Sequence, residues 1–137
     1  MVKDPFFMDI EVIQPSQLYL NAQKIKKVIN KYEIIAPGFL KAVPIKKLNN
    51  EIFFTDGHTR AYLLWIHGFN KIKVEWEDEV LDWEAYQICI DWCKEEGITT
   101  ISDFNNRIID NKSYQIKWIK RCHDMFTELE KKRKEKI

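Results

Sequence analysis

The stretch at residues 53–61 constrains the fold more than any other part of this 137-residue sequence. A short apolar run at residues 52–54 is typical of a buried strand, and it stops at the turn-forming pair Asp56-Gly57. A second apolar run at residues 61–66 follows at once and indicates a helix that is buried on more than one side. The spacing therefore predicts a strand that passes through a glycine turn into a helix N-terminus. Because such a junction presents unpaired N–H groups and the positive end of the helix dipole, we expect an anion site.

Four polar side chains flank the glycine, and each has a structural alternative beside its functional one. Asp56 either forms the turn or holds Mg²⁺ and orients a hydroxyl group for attack. His58 either caps the helix or donates to a phosphate oxygen. Thr59 is an N-cap, a phosphate ligand or both, while Arg60 pairs either with a surface carboxylate or with phosphate. We expect a phosphate-binding turn in which Asp56 and His58 are the catalytic candidates, Asp56 is the metal ligand, and Gly57, His58, Thr59 and Arg60 bind the cofactor.

The rest of the chain divides into a mixed first half and a helical second half. In the first half the patterns predict strands at residues 10–13, 42–48, 52–54 and 71–76, helices at 22–32 and 59–67, a loop at 36–38 and a hairpin turn at 49–50. In the second half they predict helices from residue 78 or 82 to 96, from 102 or 103 to 109, and from 113 into a frayed tail at 130–136. We expect one domain over residues 1–137, with an α+β core at 10–76 and a helical extension at 78–137 that packs on it.

Charge and hydropathy argue against several classes of function. Lys and Arg number 22 and Asp and Glu number 21, so a domain devoted to neutralising a DNA backbone is disfavoured, although a local basic patch is possible. The lysines of the first predicted helix are more typical of a solvated face than of a nucleic-acid footprint. No apolar run approaches the roughly 20 residues of a membrane span, and no export signal is visible, so we expect a cytoplasmic protein without a membrane partner.

The three cysteines have no metal-ligand spacing. Cys89 and Cys93 lie four residues apart on an apolar stripe, so the sequence favours packing over redox or metal chemistry for both. We expect all three, including Cys122, to be reduced thiols. The tryptophans of the second half are likewise more typical of a core than of a base-stacking platform.

The order of elements around Asp56-Gly57-His58-Thr59-Arg60 resembles the ParB/sulfiredoxin-like superfamily over roughly residues 10–76. Strand, motif, buried helix, Gly68 and the next strand follow one another as in that fold, and a strand, a helix and a hairpin precede them. The resemblance implies a small mixed sheet with helices, and hence an α+β fold class. The helical remainder of the chain resembles nothing with a known function.

The branches of this superfamily imply different activities. In the partition-protein branch the turn Gly-Glu-Arg-Arg binds the phosphates of CTP; Gly57 and Arg60 match it, whereas His58 and Thr59 replace its middle pair. In the sulfiredoxin branch the turn carries a catalytic cysteine, and His58 stands in its place. The spelling Asp-Gly-His-Thr-Arg is most similar to the free-serine kinase branch, which uses ADP or ATP. There an early glutamate acts as base, and its position falls near Gln17.

Two hypotheses follow from the residues and the resemblance together. The first is a phosphotransferase or hydrolase that binds ADP or ATP with Mg²⁺ at the turn and acts on a small-molecule acceptor. The second is a non-catalytic nucleotide-binding module, for CTP or ATP, that is regulatory or associated with DNA. A glutamine cannot accept a proton, so Gln17 favours the second hypothesis. Glu11 is an acid nearby, on the predicted preceding strand.

Overall fold

A four-stranded mixed sheet, seen in a computed structural model that describes residues 4–31 and 41–136, carries the first half of the chain. The described strands are β1 (Phe6–Asp9), β2 (Leu20–Asn21), β3 (Val43–Leu48), β4 (Glu51–Phe54), β5 (Lys71–Trp76) and β6 (Ile108–Ile109). The sheet order is β1-β5-β3-β4, with β3 parallel to β5 and the two outer pairs antiparallel. Strands β2 and β6 form a separate parallel pair. The predicted α+β class is therefore confirmed.

Helices dominate the second half. The described α-helices are α1 (Ala22–Lys31), α2 (His58–Ile66), α3 (Trp83–Glu95), α4 (Asn111–Tyr114) and α5 (Lys120–Glu135). Two 3-10 turns lie at Ile10–Val12 and Ile101–Asn106, and a π-helical turn at Gln115–Ile119 joins α4 to α5. Helices α3 and α5 contact each other, and α2 contacts the second 3-10 turn.

Several local signals act as the sequence predicts. Asn49 and Asn50 both adopt positive φ angles, of 51° and 63°, in the turn between β3 and β4. Such a pair of positive φ angles matches the right-handed twist of a two-residue hairpin. The carboxylate of Asp82 accepts a hydrogen bond from the backbone N–H of Ala85 and so caps α3. The bounds predicted for β5 are those observed.

The predicted first strand is wrong. Residues 10–12 form a 3-10 turn because the Asp9 carboxylate accepts from the backbone N–H of Glu11, which draws the chain into a tight bend. The first strand lies earlier, at Phe6–Asp9, and pairs antiparallel with β5. This pairing joins segments more than 60 residues apart, so it cannot be predicted from the local sequence pattern of either strand.

Two further expectations for the second half are also wrong. The predicted helix through residue 109 ends at Asn106, because Ile108 and Ile109 pair with β2 and the backbone N–H of Leu20 donates to Arg107 O. The tail expected to fray is helical to Glu135, and Arg133 donates to the carboxylates of Asp82 and Glu84. The predicted loop at 36–38 lies outside the described residues.

Adjacent phenylalanines on β4 show how the two halves join. Phe53 and Phe54 are fully buried, and neighbouring side chains of a strand face opposite sides of the sheet. The ring of Phe54 packs on His58 of α2, with centroids 5.3 Å apart. The ring of Phe53 instead packs on Tyr86 of α3, at 5.7 Å. Both faces of the sheet edge are therefore covered, and one hydrophobic cluster runs from Ile10 to Leu129.

Within residues 4–31 and 41–136, none of the helices combines the length and the apolar content that crossing a bilayer would require.

Removal of the Phe104 ring tests how far the 3-10 turn contributes to the core. Phe104 is fully buried and packs against His58, so Phe104→Ala should lower the free energy of unfolding by about 3–5 kcal/mol in urea titrations. Phe7→Ala is the matched control, because 55% of that side chain's surface is exposed, and it should cost less than about 1 kcal/mol. Equal losses in the two variants would contradict this account.

Candidate functional site

The turn at residues 55–57 is fixed from both sides before any ligand is considered. The backbone N–H of Thr55 donates to Pro44 O at 3.1 Å, and its hydroxyl donates to the carboxylate of Glu77 at 3.0 Å. The hydroxyl of Tyr86 donates to Thr55 O at 2.8 Å. The end of β4 is thus tied to its neighbouring strand, to the residue after β5 and to α3.

Gly57 occupies a position that other residues would strain. Its φ angle is +80°, in the left-handed region that side chains disfavour. A Cβ atom there would lie 2.8 Å from Val43 Cγ1 and 2.9 Å from Arg60 Nη2. The glycine therefore lets the backbone pass close beneath β3 and the Arg60 side chain.

Helix α2 begins directly after this glycine. The first helical hydrogen bond runs from Ala61 N–H to Gly57 O at 3.0 Å, so the N–H groups of His58, Thr59 and Arg60 precede the helical ladder. None of these three N–H groups donates to an acceptor in the part of the chain that the structure describes. The predicted junction of strand, glycine turn and helix N-terminus is therefore present.

A surface cleft of about 280 Å³ lies at this helix N-terminus, and we call it the turn cleft. Four of its lining residues come from the predicted turn, and three come from α1. They are Asp56, Gly57, Thr59 and Arg60 together with Lys24, Lys27 and Val28. Three cationic side chains thus face a single carboxylate, which makes the cleft electropositive.

The lysines of α1 are the part of the turn cleft that sequence reasoning missed. Lys24 and Lys27 have the same exposure as Lys26 on α1, but only the first two line the cleft. Their separation of three residues places them on one side of the helix. That spacing is visible in the sequence, but it shows that the two lysines line the cleft only when α1 is known to pack beside α2.

Arg60 has a structural role as well as a place in the cleft. Its Nη1 donates to Lys41 O at 2.9 Å and to Ala42 O at 3.2 Å, just before β3. No described carboxylate pairs with it, so the surface ion pair considered from the sequence is not formed within residues 4–31 and 41–136. One of its nitrogens is therefore engaged by backbone, while the positive charge stays at the cleft.

His58 does not lie with the other four residues of the motif. Its ring is buried between Phe54 and Phe104, and its Nε2 accepts the backbone N–H of Ser16 at 2.9 Å. Burial lowers the pKa of His58 from 6.5 to about 3, and the opposing effect of Asp56 is smaller. The ring is therefore neutral at pH 7, and since Nε2 accepts, Nδ1 carries the proton. The expectation that His58 donates a hydrogen bond to a phosphate oxygen in the turn cleft is not met by this geometry.

A second cavity of about 380 Å³ lies on the other side of the turn, between the sheet edge and the helical half. We call it the helical cavity. It is lined by Ser16, Gln17, Thr55, His58, Leu81, Asp82, Ala85, Tyr86, Cys89, Trp118, Cys122 and Phe126. Burial raises the pKa of the Tyr86 phenol to about 12, so that hydroxyl remains a hydrogen-bond donor at neutral pH. The apolar stripes on α3 and α5 predict a core, and residues of both helices line this cavity as well.

The helical cavity includes the position near which the sequence resemblance would put a catalytic glutamate. Gln17 lines it, and its side-chain amide donates to Tyr19 O at 2.8 Å. Asp82 is the one carboxylate on the lining, and a hydrogen bond from Arg133 lowers its pKa. Glu11, the nearby acid noted in the sequence, lines neither the turn cleft nor the helical cavity.

A metal held by protein side chains alone does not fit the described site. No group of three or more His, Cys, Asp or Glu side chains within residues 4–31 and 41–136 could hold a metal ion. Asp56 is exposed and is the only carboxylate on the lining of the turn cleft. Because Mg²⁺ commonly binds one or two carboxylates together with substrate phosphates, Asp56 fits a metal that arrives with a nucleotide.

Comparison with known proteins gives a distant likeness in fold and no more. No family model matches the chain, and no curated protein matches it significantly. Among solved structures it is similar to protein Atu1540 from Agrobacterium tumefaciens, with a TM-score of 0.50 and 13% identity over 74% of this chain. The match spans 61% of that protein, less than two thirds of its length.

The buried neutral His58 predicts a specific loss of stability in acid. Between pH 6.5 and about 3 the unfolded chain binds a proton at this residue and the folded chain does not, so stability falls as the pH falls. The contribution to the slope approaches about 1.4 kcal/mol per pH unit. In His58→Gln, whose amide oxygen can still accept the Ser16 N–H, urea titrations at pH 4–7 should show a shallower decline. An identical pH profile in the two proteins would contradict the buried neutral imidazole.

Proposed function

We propose that this protein binds the terminal phosphates of ADP or ATP in the turn cleft and is a phosphotransferase-like nucleotide-binding protein. The observation that carries the proposal is the convergence of Lys24, Lys27 and Arg60 on a helix N-terminus whose first N–H groups have no described acceptor. Each feature alone is common. Together they supply backbone donors, a helix dipole and side-chain charge at one point, which is what a phosphate group requires.

The choice of nucleotide rests on the resemblance of Asp56-Gly57-His58-Thr59-Arg60 to the ParB/sulfiredoxin-like superfamily. Its kinase branch, with the most similar spelling, uses ADP or ATP, whereas the partition-protein branch uses CTP. In this proposal Gly57, Thr59 and Arg60 contact phosphate, and Asp56 contacts a Mg²⁺ ion bound to the nucleotide. His58 is left out of phosphate binding, because its Nε2 is engaged by Ser16 and its ring faces the helical cavity.

A pair of lysine variants tests the cleft without touching the turn. Lys27→Ala removes one of its charges, so calorimetric titration with Mg²⁺-ADP should give a Kd about 2- to 10-fold weaker than wild type. Lys26→Ala is the matched control, since Lys26 is an exposed lysine on the same helix that does not line the cleft. The affinity lost in Lys27→Ala should shrink as salt rises.

Two results would overturn nucleotide binding at the turn cleft. One is the absence of heat and of any thermal shift with ADP, ATP or CTP at millimolar concentration. The other is an equal loss of affinity in Lys27→Ala and Lys26→Ala, which would place the nucleotide elsewhere or show only general charge attraction.

The helical cavity lies on the far side of the turn from the lysines, so an acceptor bound there would be separated by the turn from phosphate in the turn cleft. That cavity offers hydroxyl and amide groups, but its lining carboxylate, Asp82, caps α3 and binds Arg133. Gln17 stands where the kinase branch has its base. Phosphoryl transfer to a hydroxyl group needs a base that takes up the proton, and Gln17 cannot do so. This arrangement therefore favours the second candidate, a non-catalytic nucleotide-binding module of the ParB-like kind.

Restoring an acid at Gln17 separates the two candidates. Phosphoryl transfer from ATP or ADP to small hydroxyl compounds, serine first, is followed by phosphorus NMR in wild type, Gln17→Glu and Gln23→Glu. If the fold is phosphotransferase-like, Gln17→Glu should raise the rate about 10-fold or more. Gln23→Glu adds the same charge on exposed α1 and should leave the rate unchanged. Binding with no turnover in any of the three would establish the non-catalytic module.

A further inference from the structure

The three cysteines occupy different environments. All are free thiols, two on α3 and one on α5. Cys93 is fully buried, and its thiol donates to Gln17 O at 3.4 Å. Cys89 and Cys122 both line the helical cavity, and Cys122 is partly exposed. The structure thus separates one enclosed thiol from two that share a cavity.

Cys89 on α3 and Cys122 on α5 line the same cavity where these two helices meet. The interaction between the two thiols raises the pKa of Cys89 and lowers the pKa of Cys122, and the charge of Arg121 lowers the pKa of Cys122 further. The partly exposed member of the pair is therefore the one more readily present as thiolate, which is the reactive form.

We propose that Cys89 and Cys122 are a reactive dithiol that a hydroperoxide converts into a disulfide between α3 and α5. The thiolate of Cys122 attacks one peroxide oxygen, the O–O bond breaks, and the departing oxygen takes up a proton, which leaves a sulfenic acid on Cys122. The sulfur of Cys89 then attacks the Cys122 sulfur, loses its proton and expels water. Two thiols are oxidised by two electrons, and one hydrogen peroxide molecule is reduced to two water molecules.

The placement of the pair gives this reaction a structural consequence. The bond would link helices at positions 33 residues apart in sequence and would cross the helical cavity next to Tyr86 and Trp118. Closing a loop of this length restricts the unfolded chain, so the oxidised protein should melt on the order of 10 °C higher than the reduced one. The proposal does not depend on nucleotide binding, which takes place in the turn cleft.

The experiment uses the full chain in a Cys93→Ala background, because trypsin leaves Cys89 and Cys93 together in the peptide of residues 74–94. After treatment with hydrogen peroxide at about equal concentration, the intact mass should fall by two hydrogen atoms. Peptides 74–94 and 122–131 should be joined, and dithiothreitol should separate them. Wild type should form the same link and keep one free thiol, that of Cys93.

Single variants identify the order of the steps. In Cys89→Ser the sulfenic acid on Cys122 should persist and be trapped by dimedone, whereas in Cys122→Ser no residue should react comparably fast. Far-ultraviolet circular dichroism before oxidation establishes that each variant is folded. Absence of the 89–122 link in folded protein would overturn the proposal. So would a link in wild type that joins Cys89 to Cys93, or one that forms at the same rate in urea.

Discussion

One hydrogen bond, from the backbone N–H of Ser16 to Nε2 of His58, determines how the rest of the site is arranged. The Ser16 hydroxyl donates to Phe54 O at 2.6 Å, so one residue holds both the end of β4 and the start of α2. The bond requires an unprotonated Nε2, and a charged imidazole at this buried position would leave the Ser16 N–H facing another donor. The neutral state of His58 is thus a condition of the fold as well as a result of burial.

The same bond divides the motif between two cavities. With the His58 ring held toward Ser16 and Phe104, its neighbours Gly57 and Thr59 are left to line the turn cleft on the other side. The cationic side chains therefore line the turn cleft on one side of the turn, and neutral hydrogen-bonding side chains line the helical cavity on the other. The helical half completes the second cavity: Tyr86 reaches Thr55 O, and Cys89 and Cys122 close the far wall. The aromatic residues of α3 thus cover the sheet edge and also shape a cavity beside the turn.

The sequence predicted correctly those features that depend on residues close together in the chain. The bounds of β5, the positive φ angles of Asn49 and Asn50, and the capping of α3 by Asp82 follow from residues a few positions apart. The missed features depend on distant partners. Strand β1 exists because β5 lies beside it, and Ile108 is a strand residue because Leu20 is its neighbour. At the site, the junction and Gly57 were predictable, whereas the direction of the His58 ring and the choice of Lys24 and Lys27 over Lys26 required the packing of α1, α2 and the Pro15-Ser16 segment.

Arg60 shows why a structural role and a binding role need not compete here. Its bonds to Lys41 O and Ala42 O hold the entry to β3, which fixes the guanidinium in place without a neutralising carboxylate. Elsewhere on the surface lysines pair with acids, as Lys94 does with Glu51 and Lys120 with Asp124. Around the turn cleft, Lys24 and Lys27 have no such pairing with a described residue. Like charges that converge repel one another, so an anion in this cleft would gain from relief of that repulsion as well as from its own contacts. Because Arg60 is already held by backbone, little side-chain entropy would be lost when that anion binds.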